Sequence, residues 1–583
     1  VKFKKDQRQG FNGSLGINYG QGRYYKPSAN TNLNFREGNW NVFGSYSINQ
    51  PKNFTRFDIQ RKFFNSSGDL ESVFDQSSFI QQPVSSQNAK FGADYNLGKK
   101  TIIGTMFNAN WSSSDRNGLT NSLVTKASGA LDYSTRTNIN LNENRFNGFG
   151  NFNFKHAINT TGHEFTADFD FGEFSAANTQ DVNNANFNST GGPLSSNKLI
   201  TDQDGLISVQ SVKADYVYPF SKTAKFEAGV KSSFVKSDND VNFFDVVGQV
   251  QIPDPTRSNH FIYNENINAL YTSFAKEFTK TDFQVGLRME HTHTKGEQLA
   301  TAQNFTRGYV NFFPSVVINQ KLSPKNQLSL SFSKRIDRPS YRQLNPFRIF
   351  VDPYTYVVGD PSLKPVLTYA YELSNTFNSK YITTLGYARS KEIITDVFVQ
   401  DDATKISYQT PANLQNFDQV NLDFFVPVSI KKWLNSTVTA SFFWNKYSSP
   451  FQGGTLVNDH FAYELRTNNS FTIGKGWAAE LNGFYQARNA YGLFTIRNLA
   501  QVSAGIQKTS KDKNSTFKLS VSDLFYTNHI AVVVKYQNMD FFTDRTWDSR
   551  VATVSFSQRF GKTTVTRARQ RNGGAEDEKR RAN

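Results

Sequence analysis

Two histidines placed two residues apart come closest to a metal-binding motif in this sequence. His291 and His293 lie in the run Glu290-His-Thr-His293, at the end of a stretch that alternates apolar and polar residues. On a strand, both side chains point to the same face and could share a metal ion. No third ligand is evident, so we expect a polar rim here, and no metal or other cofactor is predicted.

Motifs that would indicate an enzyme are missing from the sequence. It has no P-loop, no dinucleotide-binding fingerprint and no Gly-x-Ser-x-Gly elbow. Its seven histidines are scattered, so no Asp–His pair of a hydrolase can be assigned. The interpretation is that the protein is not an enzyme.

A long loop rich in aromatic residues and prolines is the strongest candidate for ligand contact. It spans about residues 337–365, between the alternating runs 328–332 and 369–373. Aromatic platforms bind sugars, flat chelates and peptides, but the same rings could instead pack the loop onto the rest of the protein. Both interpretations remain open for the five aromatic residues, which are Tyr341, Phe347, Phe350, Tyr354 and Tyr356.

The elements that must hold this loop are β-strands with one apolar and one polar face. In residues 164–171, Phe169 and Phe171 share one face, and Asp168 and Asp170 share the other. Carboxylates that face lipid would be costly, so the polar face is expected to look into a wet lumen. This pattern predicts strands that cross a membrane.

Alternating runs of this kind number 22 between Phe11 and Phe560. Ten connections on one side are short and most on the other side are long, whereas the strand-like run Lys126–Asn138 is assigned to an outer loop. The fold class is therefore an all-β, 22-stranded antiparallel transmembrane barrel, with both termini on the short-turn, periplasmic side. A soluble sandwich or adhesin also alternates, but seldom shows so many long strands with short turns on one side.

The composition agrees with a barrel in the bacterial outer membrane. The chain of 583 residues has no cysteine, and no apolar run approaches the ~18 residues of a transmembrane helix. Its 54 Phe and 25 Tyr suit the aromatic girdles of a barrel. The net charge of +16 is scattered along the strands, so nucleic acid is not predicted as a partner.

The long loop carries short pieces of sequence in a fixed order that resemble a known family. They resemble the barrel of TonB-dependent receptors, especially the outer-membrane β-barrel family of Bacteroidota, although Asp360 and Val366 depart from its pattern. The matching residues are Arg335, Arg338, Pro339, Asn345, Pro346, Phe347, Gly359, Asp360, Pro361, Ser362, Leu363, Lys364 and Pro365.

The resemblance extends to both ends of the chain. Residues 1–10 resemble the junction between plug and barrel, with the barrel domain at 11–560, so we expect a plug, a TonB box and a signal peptide that this chain does not include. Phe556 and Phe560 resemble the signal at the end of the last strand that the barrel-assembly machinery reads. Residues 561–583 form a charged, basic tail, which is predicted to be mobile and periplasmic.

The function implied by the resemblance is uptake of a scarce ligand across the outer membrane, energised by TonB through the plug. The expected partners are outer-membrane lipid, the TonB complex, a surface lipoprotein or other outer-membrane subunits, and the assembly machinery. An alternative is a non-transport scaffold in an outer-membrane assembly or secretion complex, with an outer-membrane enzyme or adhesin ranked below it. Siderophore, glycan, peptide and cobalamin all remain open as the ligand, because a fold does not fix a function.

Overall fold

The computed structural model describes residues 9–352, 354–562, 565, 569 and 573–582. The predicted junction at Val1–Gly10 therefore lies almost wholly outside the described residues. The described chain contains 30 strands and two helices, α1 (Tyr341–Leu344) and α2 (Glu576–Ala582). No helix among the described residues is long and apolar enough to span a membrane.

In chain order, the strands are β1 (Gly10–Gln21), β2 (Tyr25–Glu37), β3 (Trp40–Asn49), β4 (Lys52–Phe64), β5 (Leu70–Leu97), β6 (Thr101–Lys126), β7 (Leu131–Ala157), β8 (Glu164–Asn188), β9 (Pro193–Ser221), β10 (Ala224–Val247), β11 (Val250–Pro253), β12 (Asn259–Glu277), β13 (Thr281–Gln298), β14 (Gln303–Ser323), β15 (Asn326–Asp337), β16 (Arg348–Asp352), β17 (Thr355–Val358), β18 (Val366–Phe377), β19 (Tyr381–Gln400), β20 (Ser407–Lys431), β21 (Leu434–Phe451), β22 (Gly454–Gly474), β23 (Trp477–Gln486), β24 (Asn489–Tyr491), β25 (Phe494–Ile496), β26 (Leu499–Thr509), β27 (Ser515–Val521), β28 (Ile530–Tyr536), β29 (Met539–Trp547) and β30 (Ala552–Gly561).

The wall of the molecule is a closed antiparallel barrel. Eight of the strands, β4, β11, β16, β17, β24, β25, β28 and β29, lie outside it, and the other 22 pair each with the next along the chain. The barrel closes where β30 pairs with β1, with Phe556 opposite Ile17 and Phe560 opposite Gly13. The predicted 22-stranded barrel is confirmed.

The closing seam depends on a residue without a side chain. A Cβ atom on Gly13 would lie 2.5 Å from the ring of Phe560 and 2.7 Å from the carbonyl oxygen of Asn32. Real Cβ contacts are not that short, so a larger residue would displace the ring or the neighbouring strand. Glycine thus lets an aromatic ring lie flat across the junction of first and last strands.

The two faces of the wall strands differ as the alternation predicts. On β8, Phe169 and Phe171 are exposed on the outside, while the Asp170 side chain on the opposite face is fully buried. On β13, Val285, Leu287 and Met289 are likewise exposed outward. The outward apolar residues form the band that lipid covers, and the inward residues are polar.

The two ends of the barrel are built differently. At one end, here called the turn end, short connections such as residues 98–100 join the strands; at the other end, here called the mouth, strands β5 to β10 extend well past the apolar band. The assignment of Lys126–Asn138 to an outer loop is corrected, because residues 131–138 are the first part of β7. Val124 and Tyr133 of this hairpin pack with Phe63 and Phe74 in a small buried cluster.

Strands from distant parts of the chain form a second, smaller sheet across the mouth. In order, β4, β29, β28, β25 and β24 pair with one another, and β4 also pairs with the extended part of β5. This mouth sheet packs an apolar face against the inner side of β19 to β22. The buried residues of that contact are Val397, Leu414, Tyr447, Leu456, Ala490, Leu493, Phe494, Val534, Met539 and Phe541.

The C-terminal tail differs from the mobile periplasmic segment that its composition predicts. Its described residues 573–582 lie along the inner wall, and Glu576–Ala582 form helix α2. Two of its charged side chains, those of Glu578 and Arg581, are buried against charges of the wall. The composition could not reveal this, because the opposite charges come from wall strands hundreds of residues away.

Candidate ligand site at the barrel mouth

The aromatic and proline-rich loop, residues 338–365, folds inward and lies against the inner wall. Helix α1 begins after Ser340, whose side chain accepts a hydrogen bond from the backbone N–H of Gln343, and the Ser340 N–H in turn donates to Gln343 Oε1. The helix turns its apolar face to the wall, where Tyr341 and Leu344 join a buried cluster with residues of β7 to β10 and β12. The loop is therefore part of the core of the molecule.

Polar side chains fasten both ends of the loop to wall strands. The Arg338 guanidinium donates to Glu290 Oε2 at 2.7 Å and to Thr292 Oγ1 at 2.9 Å, both on β13. At the other end, Arg307 donates to the carbonyl oxygen of Leu363 at 3.0 Å, and the Lys364 N–H donates to Asn413 Oδ1 at 2.8 Å. These motif residues thus fix the loop in place.

The glycine of the Gly359-Asp360-Pro361 motif has a clear steric role. Its N–H donates to the carbonyl oxygen of Asn345 at 3.0 Å, and Asp360 N–H donates to that of Gln343 at 2.7 Å. A Cβ on Gly359 would lie 2.2 Å from the Asn345 oxygen. The close crossing of two chain segments explains why this position carries glycine.

The five loop aromatics divide into two groups. Tyr341 and Phe347 are only 3% and 5% exposed, so they cannot touch a ligand in this conformation. Burial raises the pKa of the Tyr341 hydroxyl well above its ordinary value, against the opposing charge of Arg581. Phe350 packs edge-on to Phe243 at 6.0 Å between ring centres.

The other two aromatics lie on the hairpin formed by β16 and β17. Tyr354 packs edge-on to Phe74, with 6.0 Å between ring centres. Tyr356 stacks on Tyr408 of β20, with 5.1 Å between ring centres and 2° between ring planes, and the exposed Arg348 guanidinium lies 5.0 Å from the Tyr356 ring centre. Half-exposed rings beside a cation are a suitable platform for a flat, anionic ligand.

A buried polar network holds this hairpin against the mouth sheet. Arg61 of β4 donates to Thr355 Oγ1 and to Gln76 Oε1, each at 3.0 Å. Gln76 in turn donates to Asp352 Oδ2 at 3.1 Å. Burial raises the pKa of the Asp352 carboxyl, although the charge of Arg61 opposes that rise.

Arg116, an inward-facing residue of β6, lies within electrostatic range of three arginines from other elements. The charges of Arg145, Arg342 and Arg545 all act on Arg116, and Glu143 supplies a compensating negative charge. Glu143 also forms an ion pair with Arg145. Like charges held close together repel one another, so this group of arginines, here called the arginine cluster, favours binding of an anion.

Sequence reasoning missed the arginine cluster. Arg116 and Arg145 are inward-facing residues of β6 and β7, Arg342 is on α1, and Arg545 is on β29, where its guanidinium lies 5.2 Å from the ring centre of Phe57. No single stretch contains more than one of them. The sequence could have indicated the cluster in one way. Arg116 and Arg145 occupy inward positions in the parts of β6 and β7 that extend beyond the lipid-covered band.

Comparison with known proteins shows the family to which this barrel belongs. The profile of the outer membrane protein beta-barrel family matches residues 156–557, which is more than half of the chain. The chain belongs to this family. No curated protein is similar enough in sequence to count as a relative of this outer-membrane barrel.

Solved structures of receptors and transporters share the fold of this outer-membrane barrel. The siderophore receptor PirA from Pseudomonas aeruginosa is 13% identical, covers 95% of this chain and 81% of its own, and has a TM-score of 0.53. The ferric yersiniabactin uptake receptor FyuA from Yersinia pestis is 10% identical, with 94% and 80% covered and a TM-score of 0.58. The copper transporter OprC is 10% identical, with 96% and 82% covered and a TM-score of 0.59. The resemblance to TonB-dependent receptor barrels is thus confirmed for the fold.

The histidine pair of this outer-membrane barrel faces away from the lumen. His291 and His293 are exposed on the outside of β13, just beyond the apolar band, opposite Asn268 and Asn266 of β12. Within the described ranges, no group of three or more His, Asp or Glu residues could hold a metal ion. The expected polar rim agrees with this placement.

Phe556 and Phe560 lie on the outer face of the closing strand. Phe560 stacks on Phe11 of β1, with 5.8 Å between ring centres, and both Phe556 and Phe560 are exposed to the lipid side. Their role as an assembly signal stays a prediction.

Proposed function

We propose that this outer-membrane barrel is a receptor for the uptake of a scarce anionic ligand, energised by TonB through a plug segment. The arginine cluster is the observation that carries this proposal, because the charges of Arg145, Arg342 and Arg545 all act on the inward-facing Arg116. A cleft lined by one sign of charge attracts ligands of the opposite sign and speeds their capture. In this proposal the mouth faces the cell exterior, and the turn end with both termini faces the periplasm.

Two further features support an anionic chelate as the ligand. The Tyr356–Tyr408 stack and Arg348 offer an aromatic platform with a cation beside it. Proteins with this fold include a siderophore receptor and a ferric yersiniabactin uptake receptor. We therefore propose an iron chelate with net negative charge as the ligand class, bound between the platform and the arginine cluster.

Titration of the purified protein tests the ligand class. Quenching of intrinsic fluorescence would be followed with ferric enterobactin and ferric citrate as anionic probes, and with cobalamin as a probe without net negative charge. We expect at least one anionic chelate to bind, and binding to weaken as salt rises. The variant Arg342→Gln with Arg545→Gln should weaken binding at least about tenfold, because each charged hydrogen bond contributes roughly 1.5–3 kcal/mol.

The matched control removes the same kind of charge elsewhere. Lys225→Gln affects an exposed lysine near the turn end that pairs with Glu227, and it should leave the affinity unchanged. Equal affinity of the double variant and the unchanged protein would reject the arginine cluster as the site. Uptake of radioactive iron that persists after the proton gradient is collapsed would reject TonB energisation.

A second candidate function, a scaffold subunit, rests on a different surface. An outward-facing cavity of about 730 Å³ lies on the wall, where Trp111 and Phe146 stand 5.7 Å apart and Leu206 is exposed. An uptake path through the lumen does not use this surface. A Trp111→Arg variant that loses a subunit which otherwise co-purifies from native outer membranes would favour the scaffold, and the absence of any such subunit would reject it.

A further inference from the structure

The described end of the chain follows the inner wall from the turn end toward the mouth. Arg569 contacts Asn153 of β7, and the Gly574 N–H donates to Asp170 of β8. Helix α2 then lies beside β9 and β10 and reaches α1. The segment from residue 573 to 582, here called the luminal tail, therefore connects the wall to loop 338–365.

Two glycines allow the luminal tail to approach the wall closely. A Cβ on Gly573 would lie 2.7 Å from Asp170 Oδ1. A Cβ on Gly574 would lie 3.0 Å from Asp170 Oδ2 and 3.1 Å from Ser211 Oγ. The backbone thus fits a groove that has no room for side chains at these two positions.

One buried residue of α2 binds the wall. Glu578 is only 1% exposed; both of its carboxylate oxygens accept from Lys231 Nζ, at 2.8 and 2.9 Å. It also accepts from Ser233 Oγ at 2.7 Å. A charged residue is rarely buried so completely unless a specific partner receives it.

A second buried residue of α2 binds the wall and the loop together. Arg581 donates to both carboxylate oxygens of Glu265, at 2.5 and 3.1 Å, and to the carbonyl oxygen of Pro339 at 2.9 Å. Its guanidinium also lies 4.4 Å from the ring centre of Tyr341. Glu265 belongs to β12, whereas Pro339 and Tyr341 belong to the loop, so one side chain ties the two elements.

Helix α2 is stabilised by its contacts with the wall and not by its own sequence. The helix has seven residues, and isolated helices of that length are not stable in water.

A cavity of about 280 Å³ lies next to the contact between Arg581 and Glu265, between the loop and the wall, and Glu265, Arg338 and Pro339 line it. The loop is therefore incompletely packed beside the point where the tail holds it.

We propose that the luminal tail is a latch: the inner wall carries a binding site for the chain's own C-terminal segment, and the docked segment holds loop 338–365 against the wall. Release of Arg581 from Glu265 and Pro339 frees the loop to move toward the centre of the mouth. The docking of the tail does not depend on the uptake proposal. Any effect of the released loop on the passage of a ligand does rest on that proposal.

Hydrogen exchange measured by mass spectrometry on the purified full chain tests the latch. We expect deletion of residues 573–583 to raise the exchange rate of loop 338–365 at least about tenfold, while the wall strands keep their protection. A synthetic peptide of residues 573–583 added to the deleted protein should restore the slow exchange. The same peptide with Arg581→Ala should not restore it.

A matched substitution separates the tie from general charge loss. Glu576 is 59% exposed and pairs with Lys579 within the same helix, so Glu576→Ala should change loop exchange less than about twofold. Arg581→Ala should reproduce the effect of the deletion.

Unchanged loop exchange in a deleted protein that still migrates as a folded barrel would overturn the latch. Loss of chelate binding with normal loop exchange would instead count against the uptake proposal, so the two failures are distinguishable.

Discussion

Gly359 shows how one residue without a side chain decides whether the mouth loop is ordered. Replacing it with alanine places a methyl group 2.2 Å from the Asn345 carbonyl oxygen, so one of the two chain segments must move. Such overpacking costs typically about 1–3 kcal/mol. We expect Gly359→Ala to speed hydrogen exchange of residues 338–365 with little effect on the wall. Gly308→Ala is the control, because its Cβ would meet only His293 Nδ1, at 3.9 Å.

Asp577 gives the luminal tail a defined dependence on pH. Burial opposes ionisation of this carboxyl, but the hydrogen bond from Arg580 and the charges of Arg581 and Arg338 outweigh it and lower the pKa. A lowered pKa in the docked state means that docking is favoured while Asp577 is ionised. The contribution is therefore complete above the free value of about 3.9 and is lost as the pH falls through the lower docked value.

Loop exchange, corrected for the intrinsic effect of pH, checks this expectation. It should stay constant from about pH 7 to about pH 5 and rise below about pH 4. Asp577→Asn should reduce the pH-dependent part. A rise that begins near neutral pH would contradict the assignment to this carboxyl.

At the scale of elements, we expect the mouth sheet, in which β4 pairs with β29, to obstruct entry of a ligand into the lumen. Ile59 of β4 lies opposite Thr543 of β29, and opposed residues of antiparallel strands come close enough for a disulfide. We expect Ile59→Cys with Thr543→Cys, in a chain that has no other cysteine, to block uptake when oxidised and to regain it when reduced. Chelate binding should persist in both states.

A disulfide within the wall serves as the control for the crosslink. Asn319 of β14 lies opposite Ser329 of β15, and these strands do not move relative to each other in a closed barrel. Asn319→Cys with Ser329→Cys should therefore leave uptake unchanged under both redox conditions. Uptake through the oxidised Ile59–Thr543 pair would show that the mouth sheet is not the barrier.

The wall strands were predictable from sequence because lipid and lumen impose a strict alternation on them. Strands such as β8, with phenylalanines outward and aspartates inward, carry that signal in a few residues. The extensions of β5 to β10 into the mouth do not carry it, because no lipid covers their outer face and apolar residues such as Val182 and Phe243 instead pack inward. The mouth sheet was also not predictable, because β4 and β29 are separated by most of the chain.

The candidate ligand site was predictable only where its residues are close together in the sequence. Its loop stands out through prolines, aromatics and the Gly359-Asp360-Pro361 motif. The arginine cluster and the Arg581–Glu265 tie each join residues of separate elements. Only the closed barrel brings those residues together.

For the molecule as a whole, the seam between β30 and β1 is the step that completes the barrel. Phe560 stacks on Phe11 across this seam. We expect Phe560→Ala to lower the amount of folded barrel in the outer membrane severalfold, measured as the fraction that resists unfolding by detergent without heating. Phe525→Ala is the control, because that ring is 69% exposed and lies outside the seam. Equal folded fractions for the two variants would show that Phe560 is not part of the assembly signal.

The luminal tail follows the closing strand in the chain, and this position bears on the order of events in biogenesis. The groups that receive Gly574, Glu578 and Arg581 are Asp170 of β8, Ser233 of β10 and Glu265 of β12, on the inner face of the wall. We expect docking to follow insertion of β30, because the luminal tail comes after this strand in the chain, and the docked segment is then hidden from proteases. An unfinished barrel would leave the same segment accessible for degradation, so the tail would report whether the wall has closed.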